Sequence, residues 1–197
     1  MFQLGKIMLL SLVSGFGTAA IAANAVGNAL ATFMVLPGMA LGFAVITVIS
    51  RCIGAGDIEQ ARYFTKKLLK ITYLSMLVTN ILIVVAMPLI LKLYNLSEVA
   101  SGITTQIILS HGAAAILIWP LAFTLPNTLR AANDVKFSMI VSILSMWIFR
   151  IGFGYLLAKF LGMGVMGVWI AMYIDWAVRT VCFIVRYKGS HWHRLLP

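Results

Sequence analysis

A chain of 197 residues that is 62% hydrophobic and only 10% charged holds too little polar surface to cover a water-soluble fold of its size. It reads as an integral membrane protein. Its 15 Lys and Arg against 5 Asp and Glu then belong to membrane-flanking loops and not to a nucleic-acid interface, and two cysteines, Cys52 and Cys182, imply no disulfide framework.

A helical span needs about 20 apolar residues. The opening stretch, 1–16, is too short to cross alone and reads as the surviving end of a span. A secretory signal cut near Ala23 is the competing reading, but Lys6 alone supplies basic charge and the apolar sequence runs on past the cut.

The second span is predicted at about 20–50. It carries Ala19, Ala23, Gly27 and Ala31 four apart on one face, with Asn24 and Asn28 beside them. Small residues let helices approach closely and amides bond across the contact, so the stripe reads first as tight packing. Asn24 and Asn28 are also candidates for a polar path. Pro37 lies at mid-span, between Met34 and Gly38, and Gly42 continues the small-residue pattern.

Gly54 and Gly56 stop this helix, and Asp57 with Gln60 reads as an N-cap and capping-box pair. Ile58, Ala61, Phe64 and Leu68 recur at helical spacing. They predict an amphipathic helix over 58–68 at the headgroup level, leading into a third span at 69–93. The GAGD turn between them lacks a preceding strand and a Walker lysine, so it reads as a loop and not a phosphate site.

The fourth span, 103–125, runs into WPLAFTLPNTLRAANDVKF, where Pro120 and Pro126 stand six apart and Asn127 and Arg130 come next. In a soluble helix each interior proline costs about 3 kcal/mol. Spans at 137–161 and 165–185 complete the count, giving an all-α lobe of six segments. Ten of the fifteen basic residues fall in the connection after the second span, the connection after Pro126 and the tail. The positive-inside rule therefore places both chain ends in the cytoplasm.

Arg150 lies nine residues before Lys159, and Asp175 eleven after Gly164, so both sit roughly 14–16 Å deep. Arg179 is one turn from Asp175. Isolated charges at that depth are costly, which predicts one network joining Arg150, Asp175 and Arg179, structural in the first instance and a proton or cation site in the second. His191 and His193 form an H-x-H in the basic tail, a weak metal signal, so no metal site is assigned. No spacing of Ser, His and Asp suggests catalysis.

GTAAIAANAVGNALATFMVLPGMALGFAVITVISRCIGAGDIEQAR, LPNTLRAANDVKFSMIVSILSMWIFR and GVMGVWIAMYIDWAVRTVCFIVRYKGSHW together resemble the second lobe of the multidrug and toxic compound extrusion transporters. The resemblance implies a two-lobe, twelve-helix parent whose first lobe is missing here. It implies export of drugs and organic cations by alternating access, driven by Na⁺ or H⁺ with no other cofactor, across the inner membrane of a bacterial cell. It also gives the prolines a use, because kinks are tolerated where neighbours or a cavity meet the freed carbonyls. Trp119, Phe123, Met34 and Met39 would then offer soft apolar surface to varied small amphiphilic substrates. One branch of the family carries acids in the first and fourth spans of this lobe. The corresponding segments have none, so coupling is expected to depend on the missing lobe. A flippase for lipid-linked saccharides and a non-transporting membrane module are the alternatives.

Overall fold

The computed structural model describes residues 2–189 and Trp192; His191, His193 and Arg194 lie outside them. Among these residues eight α-helices occur in order: α1 (Phe2–Ser14), α2 (Thr18–Gly54), α3 (Ile58–Tyr94), α4 (Glu98–Leu117), α5 (Leu125–Ala131), α6 (Val135–Ser145), α7 (Phe153–Tyr155) and α8 (Gly164–Lys188). Three π-helical segments accompany them: Pro120–Thr124 joins α4 to α5, Met146–Gly152 joins α6 to α7, and Leu156–Phe160 extends α7. Counted through those joints there are six helical segments. Five of them are long and apolar enough to cross a membrane. The expected all-α lobe is what the chain forms.

The turn after α2 shows why the glycines stand there. Gly56 takes φ 74°, its N–H donates to the Ile53 carbonyl, and the Asp57 N–H donates to the Cys52 carbonyl, closing a Schellman motif. Asp57 then caps α3 by accepting from the Gln60 N–H at 2.8 Å. The reciprocal half of the expected capping box does not form, because the Gln60 side chain meets the Cys52 thiol instead.

The amphipathic stretch 58–68 is not a separate interfacial helix. It is the first third of the unbroken α3. Its apolar face is covered by protein: Ala61, with Phe64 and Leu68 beside it, packs on Val45, Ile49 and Cys52 at the end of α2. Farther along α3 the lipid-facing side shows itself as Leu74, Val78, Leu82, Val85 and Leu89, all exposed and roughly one turn apart.

The fourth segment explains the paired prolines. Pro120 and Pro126 cannot donate to the carbonyls one turn behind them, and the backbone widens into a π turn between them. Neighbours bond carbonyls at the break: the Tyr73 hydroxyl donates to Leu117 O at 3.2 Å, and the Thr180 hydroxyl adds a bond at 3.3 Å to Ile118 O, which also accepts from the Leu121 and Ala122 N–H groups. Farther down, the Asn127 amide donates to Gly42 O at 3.1 Å, locking α5 onto α2. A side chain at position 42 would start 2.7 Å from that amide nitrogen, so glycine is what permits the approach.

The basic connections gather at one end of the bundle. Leu125, Leu129, Phe183 and Trp192 form a cluster there, with Ile53, Ile58 and Phe137 against it. Asp134 accepts from Arg186 at 2.7 Å, tying the connection after α5 to the end of α8.

Candidate functional site

The α2 stripe faces α4 and α8. A Cβ on Gly27 would sit 3.0 Å from an Ile107 methyl and 3.4 Å from the Trp169 ring, so the small residue sets the helix spacing. One turn back, Asn24 accepts from the Trp169 indole N–H at 3.1 Å, while the Asn28 amide donates to the Asn24 carbonyl at 2.8 Å. Trp169 thereby fixes the amide on the inner wall of α2.

Asp175 is fully buried, and its Oδ1 accepts from Arg179 Nε at 2.8 Å and from the Ser145 hydroxyl. Arg179 donates a further bond to the Ser142 carbonyl at 3.1 Å and lies 5.5 Å from the Phe123 ring centre. The i,i+4 pair on α8 therefore reaches across to α6 and to the broken fourth segment. Sequence reasoning had no means of finding Ser142 and Ser145 as its partners.

Arg150 does not join this pair. It donates to the Met172 thioether at 3.2 Å, a weak acceptor, and among the described residues no carboxylate lies within 4.0 Å of it. The expected three-member network is thus corrected to a pair. Arg150 meets α8 at Met172, one turn before Asp175 on the same face, so the two groups are offset along the helices by about a turn. Arg150 instead lines a cleft of about 370 Å³ with Lys6, Asn24, Asn28, Trp169 and Met172.

The remaining candidates for a substrate path do not line one cavity. Met34 is fully buried, and its carbonyl accepts from the Asn80 amide at 3.1 Å. Trp119 is buried, stacked on Phe123 at 5.1 Å, with its ring over Gly38. Pro37 lies in an outer groove of about 580 Å³ with Phe33 and Leu82, on the apolar exterior. Phe123 and Pro126 line a third space of about 390 Å³ with Arg130, Ser142 and Arg179. Pro120 and Asn127 are buried in the joint itself.

His111 was not foreseen. It is buried in α4, edge-on to Trp169 and Trp176 at 5.4 Å each, and Tyr173 lies 6.3 Å away. Neither ring nitrogen has a hydrogen-bond partner of regular geometry, although the Ala31 backbone approaches it. The one signal in the sequence was a polar side chain in an uncharged span. Burying an unpaired polar group costs about 1–3 kcal/mol, so H111F should be neutral or should raise thermal stability by up to a few degrees. A scan of the purified protein in detergent checks this. A fall of several degrees would mean the imidazole is bonded in the native state.

Helices interrupted by prolines and π turns, with clefts between them and apolar stripes outside, define a polytopic helical membrane bundle. The family model described as MatE matches residues 1–156, and the chain belongs to that family. It is 29% identical over 178 residues to the "Probable multidrug resistance protein NorM" of Halalkalibacterium halodurans, covering 90% of this chain and 38% of that protein. It is 26% identical over 183 residues to multidrug and toxin extrusion protein 1 of Oryctolagus cuniculus, covering 92% and 32%. The crystal structure of the eukaryotic MATE transporter AtDTX14 shares the fold, with a TM-score of 0.78 at 19% identity over 89% of this chain and 39% of that one. The chain thus spans about 40% or less of the length of these relatives.

Proposed function

We propose that the protein carrying this lobe exports drugs and other small cationic or amphiphilic compounds by alternating access, driven by Na⁺ or H⁺. Membership of the MatE family supports the activity. The observation that supports the mechanism is the broken fourth segment, where side chains of α3 and α8 bond the Leu117 and Ile118 carbonyls. Such a joint is suited to rocking between two arrangements. The basic end, with Lys66, Lys67, Lys136 and Lys188 exposed, faces the cytoplasm on this reading, in the inner membrane of a bacterial cell. A second lobe completes the central cavity.

The coupling carboxylate belongs to that other lobe. Within this one, Asp175 is held by Arg179 and Ser145, and Asp134 by Arg186, which leaves neither poised to exchange a cation. Cells expressing the complete gene should lower their ethidium content, and an uncoupler or removal of Na⁺ should abolish this. D175N should reduce the amount of protein while efflux per molecule keeps its ion dependence. Normal accumulation of D175N with loss of that dependence would move the coupling site to Asp175.

A further inference from the structure

The cleft that takes Arg150 presents a charge problem. It is a partly open cleft lined by α1, α2, the fifth helical segment and α8. Two cations line it, Lys6 and Arg150, with no acid among the lining residues. The acid whose field reaches Arg150 is Asp175, and Arg179 already holds that carboxylate. Arg150 has five N–H donors, and among the described residues its one hydrogen bond goes to a thioether. A guanidinium at this depth faces either a paired charge or a polar space, and here it faces the space.

The rest of the lining indicates what would fill it. Leu9, Val13, Val168 and the Trp169 ring supply apolar lining, and Asn24, which accepts from the Trp169 indole, adds an amide with Asn28. The volume of about 370 Å³ falls within the range of small-molecule sites. Two cations combined with an aromatic, aliphatic lining match a molecule with an acidic head and an apolar body. From these residues we infer that the cleft binds an amphiphilic organic anion, a carboxylate, sulfonate or phosphate on a hydrophobic body, with Lys6 and Arg150 holding the head.

Organic cations are disfavoured at this position, so the site is distinct from the one that the export reading requires. The inference does not rest on that reading, and failure of ethidium efflux leaves it intact. The same head can come from a free anion or from an anionic lipid, and the test separates the two.

The test is equilibrium dialysis of labelled 2-naphthoate against the purified protein in phosphatidylcholine nanodiscs. Saturable binding is expected, without competition from 2-naphthylmethylammonium, which has the same ring and the opposite charge. K6Q and R150Q should each weaken binding at least about tenfold, the loss of one charge-assisted hydrogen bond, and R150K should lose less. Lys6 is exposed, so K6Q decides the matter if R150Q fails to fold. Displacement of naphthoate when phosphatidylglycerol replaces phosphatidylcholine supports a lipid-borne head. Its absence supports a free anion. The inference is overturned if no saturable binding occurs below about 1 mM, if the ammonium probe binds as well as naphthoate, or if K6Q and R150Q both leave the titration unchanged.

Discussion

R179Q is expected to destabilise this lobe by about 3–5 kcal/mol, the cost of removing one partner from a buried ion pair. Asp175 is fully buried, and among the described residues its Oδ2 has no hydrogen-bond partner. Without Arg179 the carboxylate would keep only the Ser145 hydroxyl. D175N should cost less. Arg179 would retain the Ser142 carbonyl, and it borders a cavity of about 390 Å³ through which water can reach its guanidinium. The double variant D175N/R179Q should recover part of the loss, since two neutral amides remove the stranded charge. Thermal unfolding of the four proteins in one detergent gives the coupling energy directly. At about 2–4 °C per kcal/mol for a chain of this size, R179Q should fall by roughly 6–20 °C. Additive losses would show that the two side chains do not act as a pair. The consequence reaches beyond stability, because the pair joins α8 to α6 through Ser142 and Ser145 and touches Phe123 in the broken fourth segment.

That pair was legible because both members stand on one helix, where an i,i+4 spacing dictates contact whatever surrounds it. Apolar length likewise marked the spans, and the glycines of GAGD marked the turn after α2. The register between helices was another matter. Arg150 and Asp175 were matched by depth counted from the helix ends, and that count is blind to an offset of one turn: Arg150 meets Met172, three residues before Asp175 on the same face of α8. Periodicity over 58–68 showed an apolar face correctly but not its partner, because lipid and the end of α2 reward the same residues. His111 was passed over for a related reason. Its neighbours Trp169, Tyr173 and Trp176 all come from a helix more than fifty residues away. The candidates spread over α2 and the fourth segment could be named but not sorted, since a methionine or tryptophan facing a cavity reads like one facing the core.

G167V is expected to be as damaging as R179Q, for a purely steric reason. Gly167 lies in the first turn of α8, against the π segment that ends the fifth helical segment. A Cβ there would sit 2.6 Å from the Ala158 nitrogen and 2.7 Å from its Cα. Both are backbone atoms of a neighbouring helix, so no rotamer change can relieve the overlap and the helices must separate. Overpacking of this kind costs about 1–3 kcal/mol for one methyl group, which sets the expectation for G167A, with valine above that range. Separation here would also loosen the contact that sets Met172 against Arg150. G102A provides the control with opposite sign. Gly102 is an exposed position inside α4, and a Cβ there meets nothing within 4 Å. Removing a glycine from a helix interior stabilises by about 0.5–1 kcal/mol where no clash opposes it. The same added methyl should therefore raise the melting temperature at 102 and lower it at 167. Equal shifts at the two positions would mean that the fifth and sixth segments do not approach at Ala158, and the cleft walls built on that approach would have to be redrawn.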